Sequence, residues 1–289
     1  MSRLHSAASS SGLLLALWLV APGGAESQVP KYEAIEVVDG GAIVGLVTWT
    51  GDLPELQHLP ITKNPEVCDL SGAGVRPSPR LIVSEENRGV GNTVVYLADI
   101  GKGKALDALL TAELLKAELE PGQNLRIDQA QCIYEPHITL APLRAELDMT
   151  SSDDLLHNLH MSGSARYNLA FPIKDKVITR RLRKAGLISI ACDAGHSWMS
   201  AYIHVVHHPY YAITDDEGGF TLSDVPAGKY SLHAWHEGWD IVKTEAQGGQ
   251  ITGYEFSEPI ILEDEVTVAA GTETQANFEL SNASEPESQ

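Results

Sequence analysis

Short apolar stretches separated by turn residues dominate this chain. The stretches are rich in β-branched and aromatic residues, and Gly, Pro and Asp recur between them. This pattern is typical of β-sandwiches and β-barrels. We therefore predict an all-β fold, with strands at 42–49, 92–97, 132–134, 137–140, 187–191, 200–206, 212–215, 220–222, 230–235, 260–262, 266–269 and 276–280.

One stretch has helical spacing instead. Leucines recur at three- and four-residue intervals between Leu106 and Leu115, and Pro121-Gly122 follows them. Leucines at this spacing predict a helix, here over 105–119, and Pro-Gly is a common stop signal. We interpret it as one helix inserted into the β fold, covering one end of a sandwich. The polar tail after residue 281 is predicted to be disordered.

The N-terminus has the pattern of a secretory signal. Arg3 and His5 precede an apolar run over 13–20, and small residues follow at 22–25. We predict a signal peptide over 1–25 and a periplasmic or secreted protein. The alternative is a retained anchor, but the run is too short to span a bilayer. No membrane span is predicted after signal removal.

The net charge of −19 argues against nucleic acid and against an anionic membrane surface as partners. The charge is uneven, since 16 acidic residues after position 200 face only Lys229 and Lys243. We interpret this acidity as a contribution to solubility. The alternative is that it steers a basic partner protein.

The chain has three cysteines, Cys68, Cys132 and Cys192. An exported protein meets an oxidising compartment, and an odd number leaves at least one cysteine without a disulfide. Cys68 and Cys132 are a possible disulfide pair. Cys192 is then available for another role.

Cys192 lies in the stretch "ACDAGHSWMS", together with His196 and Met199. Thiolate, imidazole and thioether suit copper better than magnesium or calcium, and a trigonal copper site uses one Cys, two His and a weak axial Met. The loop lacks the second histidine. His157, in "SSDDLLHNLH", is the best candidate to supply it. A structural role in the core is the alternative for these residues.

These residues resemble the cupredoxins, the plastocyanin-like copper proteins. The matching stretches are "YEPHITLAPLRAELDMTSSDDLLHNLH" at 134–160 and "CDAGHSWM" at 192–199. The resemblance implies a Greek-key sandwich and one-electron transfer through copper. It also implies equatorial ligands His157, Cys192 and His196, with Met199 axial. Asn158 would link the two ligand segments by hydrogen bonds, and His196 would form the edge exposed to a redox partner protein.

The end of the loop, "HSWM", also resembles the copper loop of cytochrome oxidase subunit II. That relative has a second cysteine in its loop and binds two coppers. The second cysteine is missing here, so one copper ion is implied.

Residues 201–235 resemble a second family, the carboxypeptidase regulatory-like domain. The pattern is "TDDEGGFTL" followed by "PAGKYSL". This resemblance implies a small β-sandwich that serves as a binding or structural module and has no catalytic activity of its own. We therefore predict a cupredoxin-like domain over 35–206, a regulatory-like sandwich over 207–281 and a tail over 282–289.

Catalytic motifs are missing from the sequence: it has no HExxH, G-x-S-x-G, P-loop or C-x-x-C-H pattern. We predict a copper electron carrier and not an enzyme. The alternatives are a copper carrier or sensor without electron transfer, a binding module with a degenerate site and, more distantly, an oxidase. A second metal site at His233 and His236 is a further alternative. We interpret these residues, like His137, as structural.

Overall fold

The computed structural model describes residues 31–106 and 123–282, and strands make up nearly all of their regular structure. The all-β prediction is confirmed. The strands are β1 (Glu33–Ala34), β2 (Gly41–Trp49), β3 (His58–Pro60), β4 (Val75–Pro77), β5 (Val94–Leu97), β6 (Lys102–Gly103), β7 (Leu125–Ala130), β8 (Ile133–Glu135), β9 (Ile138–Pro142), β10 (Glu146–Met149), β11 (His157–Gly163), β12 (Tyr167–Phe171), β13 (Ile178–Arg181), β14 (Gly186–Ala191), β15 (Ser200–Val206), β16 (Tyr211–Ile213), β17 (Gly219–Val225), β18 (Gly228–His236), β19 (Ile241–Gln247), β20 (Gln250–Phe256), β21 (Ile260–Val268), β22 (Glu273–Gln275) and β23 (Phe278–Leu280).

Within the described residues the one helix is a single turn, α1 (Pro65–Cys68). The helix predicted at 105–119 lies outside the described residues from position 107 onward. The predicted signal peptide at 1–25 and the tail from 283 onward also lie outside them.

Strands β7 to β15 form the site sandwich. One of its sheets has the order β12-β11-β14-β15-β9 and the other β13-β10-β7-β8. Most neighbours are antiparallel, but β9 runs parallel to β15 and β10 parallel to β7. Side chains from both sheets meet in one apolar core that includes Ile127, Met149, Leu159, Phe171 and Ile203.

A second set of strands forms the companion sandwich. Its sheets have the orders β16-β5-β18-β21 and β17-β2-β22, and β23 also pairs with β2. The apolar positions of β2 alternate along the strand, which places Ile43, Val47 and Trp49 in the core with Tyr210 and Leu232. This alternation is the physical basis of a strand with one face toward a core.

Strand pairing crosses the domain boundary predicted between 206 and 207. That boundary assigns β2 and β5 to the cupredoxin-like unit. Both strands instead hydrogen-bond to strands of the companion sandwich, β2 with β17 and β5 with β16 and β18. The companion sandwich thus draws strands from both sides of the site sandwich in the sequence. Local hydrophobic patterns cannot reveal this, because pairing partners so far apart leave no local signal.

The two sandwiches meet through apolar and charged contacts. Val94 and Trp235 of the companion sandwich pack with Ile138 and Leu140 of the site sandwich. Beside them, the Arg80 guanidinium lies 2.6 Å from the buried Glu237 carboxylate.

His137, interpreted from the sequence as a packing residue, belongs to this charged group. One ring nitrogen contacts Glu237, and the other lies 3.0 Å from the carbonyl oxygen of Ser200. His137 therefore links the companion sandwich to the first residue of β15.

Residues 58–77 form a covering segment over the site sandwich. Its two short strands, β3 and β4, pair with each other, and α1 lies between them. Leu59 and Cys68 are buried in the core of the site sandwich, and Cys68 forms a disulfide with Cys132. The segment is therefore fixed to the site sandwich by a covalent bond as well as by packing.

No helix in the described part of the chain is long and apolar enough to cross a membrane.

Candidate metal centre

The order of the strands brings the two predicted ligand segments together. The loop 192–199 joins β14 to β15 and carries Cys192, His196 and Met199. β11 begins at His157 and pairs antiparallel with β14, with His160 opposite Ala191. The start of β11 therefore lies beside the first residues of the loop.

Three predicted ligands converge around one sulfur atom. The Cys192 Sγ lies 3.9 Å from His157 Nδ1 and 3.6 Å from His196 Nδ1. The three donor atoms lie within 4.8 Å of one another, and all three side chains are buried. The separation of 35 residues between His157 and Cys192 is closed by the pairing of β11 with β14.

The other ring nitrogen of each histidine already has a partner. His157 Nε2 lies 2.8 Å from Asp153 Oδ2, and His196 Nε2 lies 3.2 Å from Asn64 Oδ1. A carboxylate and an amide oxygen both accept hydrogen bonds, so each Nε2 carries the hydrogen and donates it. Each Nδ1 is then left with a lone pair directed toward the sulfur, as a metal ligand requires.

Met199 is buried in the same core and closes the loop. Its backbone N–H donates to the His196 carbonyl oxygen over 3.0 Å. The neighbouring Trp198 is buried too, and its indole N–H donates to the Cys132 carbonyl oxygen. The end of the loop is therefore fixed both to its own turn and to the disulfide-bonded turn between β7 and β8.

Asn158 connects the start of β11 to the loop. Its side-chain oxygen accepts from the Ala194 N–H at 2.9 Å, and its side-chain amide donates to Asn168 at 2.6 Å. Asn168 in turn donates to Asp193. These three hydrogen bonds hold Asp193 and Ala194, the two residues after Cys192, against β11 and β12.

The loop contains a conformation that favours glycine. Gly195 has φ +94°, and a Cβ built there would lie 2.9 Å from Lys63 Cδ. Lys63 belongs to the covering segment and donates to the Ala194 carbonyl oxygen at 2.5 Å. Glycine at this position therefore allows the covering segment to approach the loop closely.

The surroundings of Cys192 favour its thiolate. Burial raises the pKa of the thiol, but the adjacent imidazoles of His157 and His196 and hydrogen bonds from the backbone N–H groups of Asn158 and Ala194 outweigh it and lower the pKa to about 6. Near neutral pH the sulfur is therefore mostly deprotonated, which is the form that binds metals.

Asp153 and His157 behave as a hydrogen-bonded pair. Burial raises the pKa of Asp153, but hydrogen bonds from His157 and from the N–H groups of Cys132 and Gln131 lower it overall. Burial lowers the pKa of His157, and the bonds to Asp153 and Cys192 raise it overall. The pairing with Asp153 fixes which ring nitrogen of His157 is directed toward Cys192.

The donor set fits a copper ion. It comprises one thiolate and two imidazoles, with no carboxylate among the three converging groups. Magnesium and calcium prefer oxygen ligands, whereas copper accepts nitrogen and sulfur.

Two partners of the histidines, Asp153 and Asn64, were not predicted. Asp153 lies four residues before His157. This spacing alone does not indicate that the two side chains are in contact; the fold of the segment must also be known. Asn64 belongs to the covering segment, and no local pattern connects it to residue 196.

The prediction that His196 forms an exposed edge is wrong. The side chain has 0% exposure, because Asn64 and the rest of the covering segment lie over it.

His233 and His236 have other partners in the described chain. His233 contacts Ser231 and, more distantly, Glu263, while His236 lies 2.7 Å from the Glu237 carbonyl oxygen. The clusters of three or more potential ligands among the described residues do not include either histidine.

Comparisons with known proteins match part of the chain to copper proteins. No family model matches the sequence, and no curated protein matches it. Among solved structures, an amicyanin mutant in its reduced Cu(I) form at pH 4 is similar over 32% of this chain and 90% of its own, with 21% identity and a TM-score of 0.27. A purple cupredoxin from Nitrosopumilus maritimus is similar over 29% of this chain and 100% of its own, with 14% identity and a TM-score of 0.25.

Proposed function

We propose that this protein binds one copper ion and carries one electron at a time. The observation behind the proposal is the convergence of His157 Nδ1 and His196 Nδ1 on Cys192 Sγ in a buried site. His157, Cys192 and His196 would be the main ligands, with Met199 as the weak axial ligand. A copper ion held there supplies a reversible one-electron couple.

The residues around the site limit rearrangement. Asp153 and Asn64 each hold one histidine by its Nε2–H, and Asn158 ties the loop to β11. Ligands fixed in this way keep one arrangement in both oxidation states, which lowers the cost of electron transfer. The apolar side chains around the sulfur exclude water, and such surroundings influence the redox potential.

We further propose an exported, non-enzymatic protein with a redox partner protein or a copper donor. A disulfide between Cys68 and Cys132 accords with an oxidising compartment, the periplasm or the outside of the cell. The companion sandwich would be the regulatory-like module, a support or binding unit. Because His196 is covered, the partner would reach the site by a surface other than the His196 edge.

The first test is the visible spectrum of the protein with Cu(II), compared with that of Cys192→Ser. We expect an intense thiolate-to-copper absorption at one copper per chain in the wild type and none in the variant, since the variant has no thiolate at this site. Ser162→Ala, on the same sheet, serves as the matched control and should keep the absorption. A colourless wild-type protein that binds no copper would contradict the proposal and leave a binding module.

Electrochemistry then separates the two copper functions. A reversible one-electron wave supports an electron carrier. Copper that leaves readily to a chelator, with no reversible wave, would support the copper carrier or sensor instead.

A further inference from the structure

The disulfide lies directly against the candidate copper ligands. The sulfur atoms of Cys68 and Cys132 and a ring nitrogen of His196 lie within 4.8 Å of one another. Potential ligand atoms of Cys132, Asp153 and His157 form a second group, and they too lie within 4.8 Å of one another. All of these side chains are buried, so the two cysteine sulfurs belong to the same enclosed space as the histidines.

The two cysteines are held together by more than their S–S bond. The Arg76 guanidinium donates to the carbonyl oxygens of Cys132 at 2.9 Å, Cys68 at 3.1 Å and Gln131 at 2.8 Å. One arginine therefore bridges the backbones of both cysteines. After reduction these hydrogen bonds would keep the two thiols side by side.

The Cys132 turn has a second, independent support. Gln131 and Cys132 both have positive φ, at 51° and 58°, where β7 turns into β8. The Asp153 carboxylate accepts from both of their N–H groups, at 2.7 and 2.8 Å. This holds the Cys132 side chain toward the histidines without the S–S bond.

We propose that reduction of the Cys68–Cys132 disulfide creates a second soft-metal site, formed by Cys68, Cys132 and His196. A dithiol reductant transfers two electrons and two protons to the disulfide, which becomes two thiols while the dithiol becomes a cyclic disulfide. Metal binding then releases the thiol protons. Two thiolates and one imidazole suit Zn²⁺, with one position left open. Both sites therefore draw on the His196 imidazole.

The test uses the full chain with Cys192→Ser. This removes the thiolate of the copper site and leaves Cys68 and Cys132 as the remaining two of three cysteines. After reduction by a dithiol and its removal without oxygen, Zn²⁺ is titrated against a chromophoric chelator. We expect one Zn²⁺ per chain, bound at least about 100-fold more tightly than in the disulfide form, because thiolates dominate zinc affinity. Zn²⁺ should also protect both thiols from N-ethylmaleimide.

His196→Gln, added to Cys192→Ser, should weaken zinc binding to the reduced chain by about 10-fold or more. His160→Gln, which changes an exposed histidine on β11, is the matched control and should have no effect. If the serine variant does not fold, Cys192→Ala replaces it.

A reduced, folded chain whose thiols react freely in the presence of Zn²⁺ would overturn the proposal. Loss of the folded circular-dichroism spectrum on reduction would also overturn it, because the proposed site needs thiols held in place. Since Cys192 is absent, neither result depends on whether the copper function is correct.

Discussion

Asp153 is the residue on which two parts of the site depend. Its carboxylate orients His157 through Nε2 and holds the turn that carries Cys132. Such partners of metal ligands fix the ring orientation and the tautomer, and their loss lowers metal affinity. At this scale the sequence predicted which donor groups would come together, because a Cys, a His and a Met so close in sequence are typical of soft-metal sites.

Asp153→Asn should lower copper affinity by about 10- to 100-fold. The amide has the same shape, but it lacks the negative charge that pairs with the His157 N–H. The measurement is a Cu(II) titration against a competing chelator, with thermal unfolding followed in parallel. Asp154→Asn changes the adjacent, exposed carboxylate and is the matched control. Equal affinities for both variants would argue against an orienting role for Asp153.

The elements of the fold divide into those with a local pattern and those without one. Alternating apolar positions predicted β2, β14 and β15 well, because each buries one face or both. The covering segment was missed. It has little regular structure, and its place is set by the disulfide and by Arg76. Such contacts join residues far apart in sequence, so a local pattern cannot show them.

The link between β15 and β16 contains a buried histidine that should make stability depend on pH. Burial, together with the nearby His207, lowers the pKa of His208 to about 3, and a hydrogen bond to the Leu97 backbone opposes this shift. In the unfolded chain this histidine has an ordinary pKa near 6.5. Between about pH 6.5 and 3 it is therefore protonated in the unfolded chain and neutral in the folded chain. Stability is therefore full above about pH 6.5 and falls as the pH drops toward 3, by up to about 1.4 kcal/mol per pH unit.

Urea unfolding at several pH values tests this expectation. In His208→Gln the side-chain oxygen still accepts the Tyr210 N–H that His208 Nδ1 accepts, and the titration is removed. The variant should lose less stability than the wild type between pH 6.5 and 4. Parallel pH profiles for the two proteins would show that His208 does not contribute.

At the scale of the whole molecule, the two sandwiches are joined by a buried charged group. Arg80 and Glu237 are almost completely buried, and Arg80 also donates to Tyr202 and to the Gly238 carbonyl oxygen. Removing one member of a buried ion pair leaves the other charge without compensation. This group therefore ties the stability of one sandwich to that of the other.

Glu237→Gln should destabilise the protein by about 3–5 kcal/mol, since the Arg80 charge stays buried without its partner. Glu263→Gln, at an exposed carboxylate 3.9 Å from His233, is the control and should have little effect. Denaturant unfolding measures both. A change below about 1 kcal/mol in Glu237→Gln would mean that the pair does not hold the sandwiches together.

The position of the site sandwich within the sequence also sets an order of assembly. The Leu46 N–H of β2 donates to Asn277, 231 residues later, whereas the strands of the site sandwich follow one another closely along the chain. Contacts between distant residues form slowly, because the chain between them must first lose its freedom. During synthesis from the N-terminus, the site sandwich would therefore be complete before the last partners of β2, in β22 and β23, are available. Formation of the Cys68–Cys132 disulfide can then precede closure of the companion sandwich.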